Sequence, residues 1–403
     1  MNPNSSTIAP VIGHNTKLSL WPAFGLGLGV AVGNGFARFS YALLLPAMRD
    51  DLKWSYAEAG WLNTANALGY VVGAVSGYLL LRRVRPSQLF IFGLLLTFVT
   101  LSVTGLRADL LWLTCTRLVA GVGAAWVFAC GGALVAARYQ ASPALRGTAT
   151  GLFFAGAGIG IAIAGVVVNP ILAYLGSRGW PSAWLLLGVL AAFASIWPLL
   201  EARRIGGAAN TLSSSAMNLH GLIPCLLAYF VFACGYIVYM TFIFAWIRDR
   251  GMSWQFGTVV WLVLGCGVAI SPFVWRRALD TWNPAVTLAA SCATTLLGTL
   301  IPILFATAPG ILTSAGLFGL GMFIAPSSVA VLVRRTMASN QWAKGITFFT
   351  VAFAIGQAIG PIFAGWIADR TSLDASLLFG AALLGIASCL ALIGLRHVSV
   401  RMA

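Results

Sequence analysis

The stretch "GNGFARFSY", Gly33 to Tyr41, sets an asparagine and an arginine inside an apolar run that extends from about 20 to 46. A run of that length is too long for the core helix of a soluble domain. It matches the roughly 20 residues needed to cross a hydrocarbon layer about 30 Å thick. Similar runs recur to the end of the chain, which is 60% hydrophobic and only 8% charged, against about a quarter charged in ordinary soluble domains. The reading is therefore an all-α membrane protein with no stretch left over for a soluble domain. The polar first 17 residues lead into a run that is too long for a removable leader and lacks a small-residue cleavage site. The first helix is expected to stay in the mature protein.

Charged and Pro/Gly breaks divide the apolar runs into twelve predicted helices. They lie near 20–46, 57–81, 87–106, 110–137, 147–175, 181–200, 220–247, 255–275, 284–307, 310–333, 345–368 and 375–395. Alternate loops carry Lys17; Arg82, Arg83 and Arg85; Arg138 and Arg146; Arg203 and Arg204; Arg276 and Arg277; Arg334, Arg335 and Lys344; Arg396 and Arg401. That is fifteen basic residues on one side and seven on the other, which also holds seven of the nine acids. By the positive-inside rule both termini are expected in the cytoplasm.

The two halves also repeat. "AARYQASPALRGTATGLFF" at 136–154 has a counterpart in "VRRTMASNQWAKGITFF" at 333–349, and "LLRRVRP" at 80–86 has one in "VWRRALD" at 274–280. The expected organisation is a tail over 1–19, a six-helix bundle over 20–200, a cytoplasmic linker over 201–219, a second six-helix bundle over 220–396 and a tail over 397–403. Parallel six-helix halves with a site at their interface are one way secondary transporters are built.

Other function classes find little support. The net charge of +15 comes as short clusters between spans, so it does not suggest nucleic acid. The seven cysteines sit within apolar runs without a CxxC spacing and read as packing residues. The histidines, His14, His220 and His397, fall in a tail or at span boundaries. No metal site, cofactor or catalytic constellation is expected, and the chain does not read as an enzyme.

The pattern resembles the major facilitator superfamily over essentially the whole chain. "RLVAGVGAAW" at 117–126 is similar to that family's fourth-helix motif, and "LLLPAMRDDLKWSYAEAGWLNTANALGYVVGAVSG" at 43–77 to its passage from helix 1 into helix 2. The texture of "GNGFARFSYALLLPAM" is closest to the YbfB/YjiJ-like bacterial branch. The resemblance implies two pseudo-symmetric bundles, a usual monomer, and a central cavity lined by helices 1, 4, 7 and 10. Two departures stand out. In the loop after helix 2, Gly77 is followed by Leu81 and Arg82, so the usual gating aspartate is absent, and the second copy has Ser271 and Trp275. The cytoplasmic latch is expected to use the doublets Arg82/Arg83 and Arg276/Arg277 and neighbouring helix ends instead. "GAGIGIAIAG" at 156–165 lacks the proline of the antiporter motif, and a similar string with proline, "GQAIGPIFAG", occurs at 356–365.

Arg38 and Arg117 are the only basic residues within spans, and no acid is central to a span. An intramembrane arginine costs about 2.5 to 3.5 kcal/mol on insertion scales, so it faces protein or a wet cavity. On α-helical spacing Asn34, Arg38 and Tyr41 share one stripe. Two cations without a counter-ion favour an anion, because guanidinium pairs bidentately with carboxylate. Arg117 has a second reading, that of holding helix 1 or capping carbonyls. Aligning "CGYIVYM" at 234–240 with "NGFARFS" at 34–40 sets Tyr236 and Tyr239 as the opposite wall, with the alternative that both only pack. Gln357 is a further candidate, and Asn63 and Asn66 read as helix-to-helix glue.

The expectation is a secondary transporter for a small organic anion, in particular a monocarboxylate. Its partners are the bilayer, the anionic substrate, and either an exchanged anion or a co-transported proton. The rivals are efflux of drugs or metabolites and a non-transporting sensor or scaffold.

Overall fold

The structure is a computed structural model that describes residues 19–205, 220–338 and 341–402. His14, Lys17, nearly all of the tail 1–19 and most of the linker 201–219 lie outside the described residues.

Among the described residues twelve long helices run back and forth: α1 Trp21–Leu52, α2 Tyr56–Leu80, α3 Pro86–Thr104, α4 Leu110–Arg138, α5 Pro143–Leu175, α6 Trp180–Ile205, α7 Ile223–Asp249, α8 Trp254–Val274, α9 Pro284–Leu304, α10 Ala308–Thr336, α11 Trp342–Arg370 and α12 Leu373–Met402. Ten helical stretches are long and apolar enough to cross a membrane. One of those, Leu145–Ile205, is α5 and α6 joined by the tight turn Gly176–Gly179. The remaining helix, α2, is long enough but diluted by Asn63, Thr64 and Asn66. Among the described residues there is no strand. Several helix starts are written locally. Pro86, Pro143, Pro224 and Pro284 stand in first turns, where a missing N–H costs nothing. Ser55, Asp109, Ser253, Asn283 and Thr307 cap backbone N–H groups.

Helices α1–α6 and α7–α12 form two bundles, with α2 packed against α11 and α5 against α8. Lipid tails give no hydrophobic drive between helices, so close crossings rely on small residues. A Cβ built on Gly158 would stand 2.3 Å from the Gly265 carbonyl oxygen, and one on Gly60 would stand 2.6 Å from that of Pro361. The small-residue string at 156–165 is thus a bundle-to-bundle crossing.

The bundles are also joined by hydrogen bonds on the acid-bearing side of the Arg38 level. Asn63 donates to Thr241 Oγ1 at 2.5 Å and Thr64 to the Ala358 carbonyl at 2.7 Å. At the end of α11 the Asp369 carboxylate accepts the N–H groups of Tyr56 and Ala57, at 2.7 and 2.9 Å, capping the start of α2 across the interface. At the opposite, basic face Arg82, Arg83, Arg276 and Arg277 are exposed. Gly77 packs toward Trp126 within its own bundle. Arg276 pairs with Asp280 at 3.9 Å. The loop after α8 is held by Arg335, which donates to the carbonyls of Leu279, Asp280 and Trp282.

Candidate functional site

The centre of α1 is not an α-helix. Ala31–Phe39, "AVGNGFARF", is wound as a π-helix. Turns with i→i+5 bonds are rare, and they gather at functional positions. Gly33 and Gly35 let this wide segment press against its neighbours. A Cβ on Gly35 would lie 2.4 Å from Gly160 Cα on α5, and one on Gly33 would lie 3.3 Å from Ala124 Cα on α4.

The wide turn breaks the predicted stripe. Asn34 and Arg38 are both buried, each 4% exposed. Tyr41, however, is carried round toward α2, where its hydroxyl donates to the Ala59 carbonyl at 2.6 Å. Its ring lies 5.1 Å from the Arg117 guanidinium carbon. Expecting all three on one face assumed 3.6 residues per turn, which this segment does not have.

The two arginines sit side by side and are used differently. Arg117 is 1% exposed. It donates Nη1 to the Ala37 carbonyl and Nη2 to the Arg38 carbonyl, the latter at 3.4 Å. Rings of Tyr41 and Trp184 stand 5.1 and 5.4 Å from its guanidinium carbon. Asn66 donates to the Arg117 carbonyl at 3.0 Å. Of the two readings open from the sequence, this geometry matches the brace: Arg117 supplies donors to carbonyls of the π-segment.

Arg38 instead points across the bundle interface. Its Nη2 donates to Gln357 Oε1 on α11, and Gln357 Nε2 in turn donates to the Tyr236 hydroxyl on α7. The guanidinium carbon lies 4.8 Å from the centre of the Tyr70 ring. Its Nε is buried without a hydrogen-bond partner. None of the ion pairs among the described residues includes Arg38 or Arg117.

The predicted tyrosine wall splits. Tyr236 belongs to the Arg38 group, and its ring stacks on Phe232 at 5.2 Å and on Phe353 at 5.5 Å; Tyr229 continues the stack at 4.6 Å from Phe353. Tyr239, three residues on, faces away. Its ring stacks on Phe318 at 3.9 Å and its hydroxyl meets Ser314 Oγ at 2.7 Å. The structure thus brings together Arg38, Gln357 and Tyr236. It puts Tyr41 with Arg117, and it packs Tyr239 inside the second bundle.

Tyr70 was missed, although Asn63, Asn66 and Tyr70 are spaced as one polar stripe of α2 and could have been read as such. Trp184 carries no sequence signal, because tryptophans on lipid-facing and buried surfaces look alike in one chain. Asp369 was placed in an outer loop by the sequence, with nothing to tie it to α2.

Comparisons with known proteins agree with this architecture. Residues 30–392 match the family model described as "Uncharacterised MFS-type transporter YbfB". A curated relative, the uncharacterised MFS-type transporter YceJ of Bacillus subtilis (strain 168), is 24% identical over 358 residues, covering 84% of this chain and 87% of the relative. Among solved structures, a bacterial homologue of the human lysosomal transporter Spinster, captured inward-facing and unoccupied, aligns with a TM-score of 0.69 at 15% identity. That alignment covers 94% of this chain and 98% of the other.

Proposed function

Since the chain belongs to the YbfB-like family of major-facilitator transporters, we propose that it is a secondary carrier moving a small organic anion, a monocarboxylate, by alternating access. Arg38 is the residue that takes the carboxylate. The observation that carries this reading is a guanidinium only 4% exposed whose side-chain hydrogen bond among the described residues goes to a neutral amide. A buried cation held this way lacks the charge that would balance it, and a carboxylate supplies both that charge and a matching pair of acceptors.

The contacts from Asn63 to Asp369 tie the bundles together on the acid-bearing side of the interface, and Gly151 meets Pro272 and Phe273 on the basic side. The excess of basic residues on that face supports a bacterial inner-membrane location with both termini in the cytoplasm. A periplasm-dependent phosphatase fused after residue 403 should then be inactive. Coupling is anion exchange or symport of a proton. In symport the proton rides with the substrate or on an outer acid such as Glu58, whose carboxylate accepts from Ser55 N at 2.9 Å in a capping box. A carrier working as a monomer fits the interface lying within one chain.

The stacked rings of Tyr229, Phe232, Tyr236 and Phe353 favour a second reading, the export of flat amphiphilic compounds. Flux in reconstituted vesicles separates these readings from a scaffold that moves nothing. Arg38→Ala should abolish carboxylate uptake while the protein still folds. Wild-type uptake by that variant, or selective stabilisation by amphiphilic cations alone, would sink the anion reading.

A further inference from the structure

The side-on edge of a guanidinium presents two parallel donors, Nε–H and one Nη2–H, spaced to meet both oxygens of a carboxylate. On Arg38 that edge is half filled. Nη2 donates to Gln357 Oε1, while Nε is buried with no partner. Gln357 itself is fully buried and reaches Arg38 from the opposite bundle. Its other end is engaged too, with Nε2 donating to the Tyr236 hydroxyl. One amide therefore sits where one carboxylate oxygen would sit, and it ties α1 to α11 and α7 while it is there.

We propose that Gln357 is a placeholder for the substrate carboxylate, occupying half of the Arg38 edge in the unloaded carrier and giving it up when the anion arrives. This rests on the anion reading above and makes it narrower. An incoming carboxylate fills both Nε and Nη2, and charge-assisted bonds outcompete the neutral amide oxygen. The displaced amide loses its acceptor role on Arg38, so the link between α1 and α11 is broken by the same event that loads the site. The surroundings also select the number of charges. Beside the guanidinium stands the ring of Tyr70, and Tyr236, held by Gln357, stacks on Phe232 and Phe353. A second carboxylate or a phosphate would bring charge that these rings do not meet. The substrate class is thus a singly charged carboxylate with an apolar or aromatic body.

The test is a double-mutant cycle on the purified full-length protein, read by thermal unfolding with and without sodium benzoate, lactate, succinate or phosphate. In Gln357→Glu a tethered carboxylate takes the edge, so the midpoint should rise by about 2 °C or more. Benzoate and lactate should bind at least about tenfold more weakly than to wild type. In an Arg38→Ala background, or Arg38→Gln if the alanine variant does not fold, Gln357→Glu should instead lower the midpoint, because the carboxylate is buried alone. Gln357→Leu frees the edge and should bind benzoate more tightly than wild type does.

An additive cycle, with Gln357→Glu acting alike in both backgrounds, would overturn the placeholder. So would benzoate binding to Gln357→Glu as tightly as to wild type, an outcome that leaves the anion reading standing. If the cycle is coupled but no carboxylate moves the wild-type midpoint, the anion reading fails and the placeholder falls with it.

Discussion

Truncating Arg117 to alanine should unfold the first bundle more easily without acting on the ligand directly. The Nη1 bond to the Ala37 carbonyl is charge-assisted, and such bonds contribute about 1.5 to 3 kcal/mol. The Nη2 contact with the Arg38 carbonyl is long at 3.4 Å and adds about 1 kcal/mol at most. Two rings at 5.1 and 5.4 Å contribute about 2 kcal/mol between them in a desolvated site. Against this, removing the cation relieves about 3 kcal/mol of insertion cost. The space left between Tyr41 and Trp184 then costs about 1 to 2 kcal/mol.

The balance is a loss of about 3 kcal/mol. At about 2 to 4 °C per kcal/mol for units near the size of one bundle, that is a fall of about 6 to 12 °C. Arg117→Lys keeps the charge but loses the fork, and should fall about half as far. The assay is intrinsic tryptophan fluorescence during thermal unfolding in detergent, read alongside carboxylate binding. If Arg117→Ala unfolds within about 2 °C of wild type yet no longer binds carboxylate, the brace is wrong and Arg117 belongs to the ligand.

Two further outcomes follow from the interface. Gly158→Val should prevent α5 and α8 from closing as they do here, because a Cβ already lies 2.3 Å from the Gly265 carbonyl. Cross-linking between cysteines placed at 169 and 258, where Asn169 and Thr258 meet at 3.0 Å, should fall several-fold, and unchanged cross-linking would contradict the crossing. Asp369→Asn keeps an acceptor for the start of α2 but removes the charge facing that helix's positive end. Labelling of a cysteine placed at 64, where Thr64 is buried on the α2–α11 interface, by a membrane-impermeant thiol reagent should quicken, and an unchanged rate would remove Asp369 from the closure.

The number of helices, most of their ends to within about four residues, the two-bundle repeat and the family were legible in the sequence, while α1, α6 and α12 run five to seven residues past their predicted ends. Apolar runs, basic clusters and breaks are local features, and a bilayer leaves a backbone few other structures to adopt. The isolation of Arg38 was legible for the same reason, since a lone charge in an apolar run is conspicuous. What only the tertiary structure decided is which way each polar side chain turns. The π-wound segment shifted the register of α1, so Tyr41 left the face it was expected to share with Arg38. Tyr236 and Tyr239 parted because α10 offered Phe318 and Ser314 to one of them, while α11 offered Gln357 to the other. The division of labour between Arg117 and Arg38 depends on carbonyls and an amide that lie 79 or more residues away in the chain. Spacing along one helix carries no record of such partners, because they are chosen by packing between helices.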